Sequence, residues 1–347
     1  MEKDILYLWI NLIQGLGDVR INKLVKEFGG IENVYRASKE EIMKIEGFGK
    51  VVAGRISSCK DLDKARKIKD YCVENRIRIL CREERDYFKE LLKYDDAPSM
   101  LYTYGKIKKI KNAIGVVGSR NADLYGKNIA LEIGDNASEN DVTIISGMSE
   151  GIEAYVQSGI IRKDGYSICV LGTGIDGCYP AINKRLKAAL KEKCLIISPF
   201  KIGSKPIREN FFKRNKLIAM LSNKVVVIQA NKNSASLITA KYAIKEEKEV
   251  YAVPGNIDNE LNEGSNILLR NGAKVYIAIS NIIRRKTKKI TGEKNGEEKK
   301  IIKLIKEKPK SIDELELILK LEKEVLIDKL FNLELAGAIV QQNGQYF

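Results

Sequence analysis

Hydrophobic residues recur at two different spacings along this chain of 347 residues, and the change of spacing marks its parts. Residues 1–85 carry apolar side chains at helical spacing without strand-like alternation, which predicts an all-helical front domain. From Ala113 to Ile279, short β-branched runs alternate with helical ones. Residues 301–347 return to helical spacing and end in a turn-rich stretch. The pattern therefore predicts a helical domain, an α/β domain and a small third domain.

Seven apolar runs in the middle part have the length and composition of buried strands. They are Ala113–Val117, Val142–Ser146, Ser167–Leu171, Leu195–Ser198, Val225–Gln229, Val250–Val253 and Lys274–Ile277. Such runs, several of them closed by turn residues, are typical of parallel strands that are buried on both faces. Their alternation with helices predicts an α/β fold with a Rossmann-like, doubly wound and mostly parallel sheet.

The domain boundaries follow from these changes of pattern. The α/β domain is predicted over residues 86–281, with a weakly patterned leading stretch at 86–112. Residues 282–300 are rich in Lys, Thr, Gly and Glu without apolar periodicity, which predicts a linker. The last domain then covers residues 301–347.

The last domain carries clear helix-start and turn signals. Ser311 followed by Glu314 has the pattern of a capping box, and Asn343-Gly344 is a strong hairpin signal. The order helix, helix, helix and hairpin resembles a winged helix. The third helix, near Lys323–Asn332, mixes acids with bases, so we expect a protein contact or weak DNA contact there and not specific operator binding.

The absence of histidine from the sequence removes several classes of enzyme. Histidine is the commonest general base near neutral pH and a frequent zinc ligand, so a Ser-His-Asp triad, a Cys-His pair and most catalytic zinc sites are excluded. The six cysteines are scattered without a C-x-x-C pair, which is typical of reduced cytoplasmic thiols. An enzyme would have to rely on carboxylates, Lys, Tyr or a metal held by oxygens. We expect neither a metal nor a cofactor.

The sequence gives no sign of a membrane protein. No apolar run approaches the roughly 20 residues that span a bilayer. The N-terminal residues lack a secretory signal pattern. We expect a cytoplasmic protein without a membrane partner.

The net charge is +15, and one stretch of the chain is strongly one-sided. Between Lys184 and Lys224 there are twelve Lys or Arg residues and two acids, Glu192 and Glu209. This stretch, the basic band, follows a glycine-rich turn in the predicted sheet domain. A basic band at the ligand-binding edge of such a sheet indicates a polyanion, and nucleic acid is the commonest one in cells.

Three predicted strands end in glycine-rich loops, and parallel topology brings these ends to one edge of the sheet. The first loop offers a glycine for close approach, a hydroxyl donor and a guanidinium that fits phosphate. The candidate nucleic-acid-binding residues in these loops are Gly118, Ser119, Arg120, Gly147, Gly151, Gly172, Gly174 and Asn183.

The basic band and a later helix start supply a second group of candidates. Aromatic residues interleaved with cations suit single-stranded nucleic acid, because bases stack on Phe while Arg and Lys follow the backbone. One of the two Phe residues is expected in the core, and the later helix start could bind a phosphate. These candidates are Lys184, Arg185, Arg208, Phe211, Arg214, Asn215, Ser236 and Thr239.

Two glycine-rich turns in the front domain fit a helix-hairpin-helix pattern. The stronger one is Gly47-Phe48-Gly49, and the weaker one is Gly15-Leu16-Gly17. Exposed N–H groups at such a turn can bind a DNA phosphate. A packing turn is the alternative, and it is favoured because Asp18 and Glu46 would repel a phosphate.

Seven motifs over residues 115–273 resemble, in their order, those of the DprA/Smf family of DNA-processing proteins. They are G-S-R, S-G-x-x-x-G-I, G-T-G-x-D-x-x-Y-P-x-x-N, R-N-[RK]-x-I-A, S-x-S-L-I-T-A, V-P-G-N and G-x-N-x-L-[IL]-x-x-G-A. The flanks agree, because this family often has a front domain of the SAM-like or hairpin type and a winged-helix tail.

The resemblance implies a recombination mediator that binds and protects single-stranded DNA. It further implies a homodimer that helps to load the RecA recombinase during natural transformation, without catalytic activity. By the same resemblance, Gly118–Arg120 would cradle phosphates and Phe211 would contact a base, while Arg214 and Asn215 match the family's Arg-Asn pair.

The chain departs from the family pattern at several positions of this site. The family usually has Asp at the position of Glu153, followed shortly by a His that is absent here. It often has Lys at the position of Ala181, and the candidates to replace that cation are Lys184 and Arg185. Further departures are Pro199 (usually Glu), Phe212 (usually Pro) and Ala235 (usually Gly).

Two other functions are weighed against this one. A nucleotide-processing enzyme of the lysine-decarboxylase-like group would have a similar sheet, but its motif P-G-G-x-G-T-x-x-E carries a catalytic Glu. The nearest match here, Pro254-Gly-Asn-Ile-Asp, lacks that Glu. A transcription regulator acting through the winged helix would leave the basic band unexplained.

Overall fold

The computed structural model of the chain describes residues 2–110, 112–283, 296–335, 338–342 and 344–346. The chain divides into two units, Met1–Ile282 and Ile283–Phe347. Most of the predicted linker, residues 284–295, lies outside the described residues, as does Asn343 of the predicted hairpin turn. The boundary predicted at residue 85 within the first unit stays a prediction.

Residues 2–74 are helical, as the spacing of their apolar residues predicts. The helices are α1 Lys3–Leu12, α2 Asp18–Phe28, α3 Ile31–Arg36, α4 Lys39–Met43, α5 Lys50–Ser58 and α6 Asp63–Glu74. Trp9 is buried among them, and its ring meets Tyr35 edge-on with 5.0 Å between centroids. A capping box between Ser38 and Glu41 satisfies the first N–H groups of α4.

The described part of the first unit contains one mixed sheet. Its strands are β1 Arg78–Cys81, β2 Met100–Gly105, β3 Ile114–Gly118, β4 Ile144–Ser146, β5 Ser167–Val170, β6 Leu195–Ser198, β7 Lys224–Ile228, β8 Glu249–Ala252 and β9 Lys274–Val275. They lie in the order β1-β2-β6-β5-β4-β3-β7-β8-β9. The seven strands β3 to β9 run parallel to one another, while β2 pairs antiparallel with both β1 and β6.

All seven predicted strands are present, with ends that differ by at most two residues, so the prediction of a mostly parallel sheet is confirmed. The prediction that residues 1–85 are wholly helical is wrong for Arg78–Cys81. This four-residue strand is too short to show alternation, and it forms because β2 pairs with it. Strand β2 itself was missed in the weakly patterned stretch 86–112.

Helices connect the strands of the sheet. They are α7 Lys89–Leu92, α8 Leu124–Glu139, α9 Ile152–Arg162, α10 Lys184–Lys193, α11 Arg208–Leu221, α12 Ser236–Lys245, α13 Glu263–Arg270 and α14 Ile279–Ile282, with 3-10 turns at Ala181–Asn183 and Glu260–Asn262. The strand order changes direction at β3 and β7, because β4 to β6 extend to one side and β8 and β9 to the other. The carboxyl ends of strands at such a switch point leave a crevice.

One apolar core joins the sheet to the segment before it. Val117, Val170 and Val227 of the parallel strands belong to the same buried cluster as Leu101 of β2 and Leu217 of α11. Each of these side chains is almost wholly removed from water, a burial that favours folding by about 1.5–3 kcal/mol per side chain. Strand β2 is therefore an integral part of the sheet layer.

The second unit is small and mixed. Its elements are α15 Gly296–Glu307, β10 Lys310–Ser311, α16 Ile312–Leu319, α17 Lys323–Leu335, β11 Gln341–Gln342 and β12 Gln345–Tyr346. The strands pair antiparallel in the order β10-β12-β11. Ile301, Ile305, Leu315, Leu326 and Leu330 lie in its core. The capping box predicted at Ser311 and Glu314 is present at the start of α16.

Candidate nucleic-acid interface

An open cleft of about 760 Å³ lies at the switch point, beside the carboxyl ends of β3 and β7. Its walls come from the loop after β3, the first two turns of α11 and the segment that leads into α12. Eight residues predicted from the sequence line it: Gly118, Ser119, Arg120, Arg208, Phe211, Arg214, Asn215 and Ser236. The structure thus brings together half of the predicted site residues.

The loop after β3 is held tightly against its neighbours. A side chain at Gly118 would place its Cβ 2.0 Å from the carbonyl oxygen of Ile228, so only glycine fits there. Ser236 Oγ donates to Gly118 O at 2.8 Å, and Ser119 N donates to Gln229 O at 2.7 Å. Ser119 Oγ accepts from a backbone N–H, which leaves its hydroxyl proton available to a ligand.

Arg120 is the exposed cation of this loop, and its guanidinium carbon lies 5.0 Å from the ring centroid of Phe211. Phe211 also packs against Gly172, where an added Cβ would come within 3.0 Å of the ring. Tyr179 meets Phe211 edge-on, with 5.9 Å between centroids. Cation–π and edge-to-face contacts of these kinds fix the position of each group.

Tyr179 is a candidate base-contacting residue that the sequence analysis did not select. Its side chain lines the cleft and is 46% exposed. The sequence carried a signal for it, since Tyr179 precedes Pro180 in a glycine-rich motif at the end of a strand. Its partnership with Phe211 was not visible, because 32 positions separate the two in sequence.

Arg214 and Asn215 lie at the base of the cleft and are buried. Arg214 forms an ion pair with Glu153 (Nη1 to Oε2, 2.9 Å), and its other Nη donates to Ser149 Oγ at 3.2 Å. Asn215 Nδ2 donates to Ala235 O at 3.0 Å. Their observed bonds tie α11 to the loops around them, and a direct contact with nucleic acid stays a prediction for both.

Gly147 and Gly151, the glycines predicted in the loop after β4, leave room for the contacts around Arg214 and the loop after β3. A Cβ at Gly147 would collide with the guanidinium of Arg214. Gly151 has φ +70°, a conformation that favours glycine, and an added Cβ would come within 2.3 Å of Ser119 O. Their small size therefore lets the loops after β3 and β4 approach each other.

The remaining predicted residues lie outside the lining of the cleft. Asn183 Nδ2 donates to Met148 O at 2.9 Å and braces the second loop. Gly174 N donates to Ser204 O at 3.0 Å, and Thr239 is buried. Lys184 and Arg185 are exposed at the start of α10.

Five cations of the basic band bind protein groups of the same chain. Of these, Lys187 and Arg214 are buried, Lys216 and Lys224 are half-buried, and Lys193 is exposed. The other exposed cations of the band are Lys184, Arg185, Lys191, Lys201, Lys205, Arg208 and Lys213.

Lys187 is one of the buried cations of the basic band. Its Nζ donates to Ile175 O at 2.6 Å and to Gly177 O at 2.5 Å, and burial lowers its pKa. The positive charge near the cleft therefore depends on fewer residues than the sequence count indicates. Two cations that the sequence analysis did not select, Lys232 and Lys241, also line the cleft.

The start of α12 points into the cleft, but its first N–H groups already have acceptors. Ser236 N donates to Ser234 Oγ at 3.2 Å, and Leu237 N and Ile238 N donate to backbone oxygens at 3.1 Å. Its attraction for an anion therefore rests on the helix dipole.

The weaker glycine-rich hairpin of the front domain has a packing role. The carboxylate of Asp18 accepts from Ser99 N at 2.8 Å and from Ser99 Oγ at 2.9 Å. Asn22, one turn further along α2, donates to Asp95 O and Ala97 O. These bonds hold α2 against the loop before β2. The stronger hairpin has Phe48 buried and Glu46 paired with Lys23.

Among residues 2–110, 112–283 and the described parts of 296–346, no group of three or more His, Cys, Asp or Glu side chains could hold a metal ion. No helix that the structure describes has both the length and the apolar character needed to cross a membrane.

The chain is similar to proteins of known name over most of its length. The family model "DNA recombination-mediator protein A" matches residues 78–287. Protein Smf of Synechocystis is 31% identical over 277 residues, which cover 78% of this chain and 69% of that protein. The family-model match includes all parallel strands and every residue that lines the cleft.

Solved structures give the same result. The X-ray structure of DNA processing protein A from Streptococcus pneumoniae matches with a TM-score of 0.70 at 27% identity, covering 80% of this chain and 95% of that one. The Helicobacter pylori protein, described for its single-stranded DNA binding mode, matches with a TM-score of 0.54 at 25% identity over 59% and 93% of the chains. The chain therefore belongs to the DprA/Smf family of DNA recombination-mediator proteins.

Proposed function

We propose that this protein binds single-stranded DNA in the cleft at the carboxyl ends of β3 and β7. Arg120, Arg208, Lys232 and Lys241 line the cleft and are exposed, so they can approach phosphates. Family membership supports the proposal, as does the similarity to the Helicobacter pylori protein with its single-stranded DNA binding mode.

The strongest support for single-stranded DNA binding is one group of contacts in the cleft. The guanidinium of Arg120 lies over the ring of Phe211, and the half-exposed ring of Tyr179 lies on the same aromatic cluster. A cation beside accessible aromatic surface suits a strand whose bases are unpaired, because stacking needs a free base face. A duplex would offer phosphates but keep its bases stacked inside.

We propose no catalytic step for the cleft. Glu153 is the carboxylate among its lining residues, and the ion pair with Arg214 occupies it. General acid or base catalysis needs a group that can reach the substrate and exchange a proton. This arrangement favours a binding protein over the nucleotide-processing alternative.

A titration with three labelled ligands tests the proposal. A single-stranded oligonucleotide, the matching duplex and a mononucleotide are compared by fluorescence anisotropy at several salt concentrations. We expect the single strand to bind most tightly, with affinity that rises with length and falls with salt, because phosphate contacts release counterions. Equal affinity for the mononucleotide would support the enzyme alternative instead.

We also propose, from family membership, that the protein helps to load a RecA recombinase on DNA taken up by the cell. Cytoplasmic location and a role in natural transformation belong to the same proposal. The test is RecA-dependent strand exchange on DNA precoated with single-strand-binding protein. Stimulation by this protein is expected, and an unchanged rate would refute the RecA role without affecting DNA binding.

A homodimer and a winged helix complete the proposal. Strand β9 lies at one edge of the sheet with Val275 exposed, and Ile277 just beyond it is exposed too. An edge strand with apolar side chains can pair with a second chain, and sedimentation of Val275→Lys against the parent tests this.

The helices and the antiparallel sheet of the second unit support the winged-helix assignment.

A further inference from the structure

The second unit presents an acidic and apolar stripe on the solvent face of α17. Its described members are Glu324, Ile327, Asp328, Phe331 and Glu334, and all are exposed. Ile327 is 46% exposed and Phe331 59% exposed. Their spacing places them on one side of the helix.

The unit's core does not need this stripe. Leu326, Leu330 and Leu333 are buried on the opposite side of α17 and fix the helix to the rest of the unit. Ile327 and Phe331 lie one turn apart and form a small exposed apolar patch with acidic residues around it, which is a candidate contact surface. Three carboxylates around them repel phosphate, so the stripe is unsuited to nucleic acid.

A complementary stripe lies on α15 of the same unit. Lys299, Lys303 and Lys306 are exposed on one side of this helix, with the half-buried Ile302 among them. Ile301 and Ile305 are buried on the other side. The three lysines have the spacing i, i+4 and i+7, which is also the spacing of Glu324, Asp328 and Phe331 on α17. Both stripes are exposed in one unit, so neither covers the other within a copy.

We propose that the α17 stripe of one copy binds the α15 stripe of a second copy of this chain. Glu324 and Asp328 have the same spacing as Lys299 and Lys303, so two pairs of opposite charges bring the two helices together, and Ile327 and Phe331 are then removed from water. The two stripes are different surfaces, so the contact is head-to-tail, and each pair keeps one free stripe of each kind. Association can therefore continue beyond two copies, independently of the β9 edge.

Charge reversal on the full-length chain tests the proposal. One variant carries Glu324→Lys and Asp328→Lys, so both of its stripes are basic. A second carries Lys299→Glu and Lys303→Glu, so both are acidic. The control carries Asp70→Lys and Glu74→Lys, the same change at the same spacing on the exposed surface of α6. Circular dichroism and thermal melting establish that each variant is folded.

Sedimentation velocity over a range of protein concentrations gives the readout. We expect the parent and the control to form species that grow with concentration, and each stripe variant to associate at least about tenfold more weakly. An equimolar mixture of the two variants should recover association, because their stripes are complementary again. Salt at about 1 M, where the Debye length is about 3 Å, should weaken the contact.

Two results would overturn the proposal. One is a parent that sediments like the two stripe variants at every concentration, which means that copies do not meet through these helices. The other is a mixture that fails to recover the association that each variant lost. Loss of DNA affinity in the Lys299→Glu, Lys303→Glu variant without a change in sedimentation would assign the α15 stripe to nucleic acid and likewise refute the contact.

Discussion

Arg214 and Glu153 form a buried ion pair beneath the cleft, with 2.9 Å between Nη1 and Oε2. Glu153 also accepts from Ser149 N at 2.9 Å, and Arg214 reaches Ser149 Oγ. The pair therefore links α9, α11 and the loop after β4 at one point. Arg214 also lies 5.5 Å from the ring of Phe211, so the same pair helps to place the aromatic cluster.

Removal of one partner of this pair should destabilise the fold. Arg214→Ala leaves the carboxylate of Glu153 buried without its cation, and the expected loss is about 3–5 kcal/mol in the free energy of unfolding. Urea denaturation measures it. The double variant Arg214→Leu, Glu153→Leu should recover most of the loss, since no unpaired charge remains. A parent-like midpoint for Arg214→Ala would contradict the structural role.

Arg120→Ala should weaken single-stranded DNA binding and leave stability unchanged. The side chain is exposed, and loss of one charge-assisted contact is worth about 1.5–3 kcal/mol, or roughly a tenfold to hundredfold change in Kd. The slope of log K against log salt should become less negative by about 0.7, the value for one phosphate of a single strand. Arg270→Ala, at an exposed arginine outside the cleft, is the control and should bind like the parent.

Tyr179 should contribute to binding through its ring. Tyr179→Leu removes a stacking surface worth about 1–3 kcal/mol for one base. Tyr179→Phe keeps the ring and serves as the matched control, with an affinity close to that of the parent. Equal losses in both variants would assign the effect to the hydroxyl group, and no loss in either would exclude Tyr179 from the binding surface.

Glu249 should make stability depend on acid pH. Hydrogen bonds and charge from Lys224 and Lys274 lower the pKa of Glu249 from 4.5 to about 2. As the pH falls, the Glu249 carboxylate therefore takes up a proton in the unfolded chain before it does so in the folded chain. The stabilisation by this ionised carboxylate is present above pH 4.5 and is lost as the pH falls towards 2. Thermal melting of Glu249→Gln and the parent should show a Tm difference that narrows over this range. A difference that stays constant with pH would refute the assignment.

The parallel strands could be predicted from sequence because each is a short Val- and Ile-rich run between helical segments. Strand β1 could not, because its four residues form a strand only by pairing with β2. Strand β2 has a signal in its sequence, since Leu101-Tyr102-Thr103-Tyr104 has high β propensity. Its antiparallel place beside β6 depends on the tertiary fold.

Those residues of the site that belong to local sequence motifs could be predicted from the sequence. Gly118–Arg120 and Phe211 lie together at the cleft, as expected for loops at one edge of a parallel sheet. The burial of Arg214 was not predictable, because its partner Glu153 is 61 positions away in sequence. The basic band likewise gave no sign that Lys187 is internal, since burial depends on packing and not on residue type alone.

Photo-crosslinking tests the central claim most directly, because it reports where the strand lies. A single-stranded oligonucleotide containing 5-iodouracil is irradiated with the full-length protein, and the crosslinked peptides are identified by mass spectrometry. The account predicts adducts at Tyr179 or Phe211, reduced by excess unlabelled single strand and by Arg120→Ala. Adducts confined to the Gly47–Gly49 hairpin or to the second unit would contradict it.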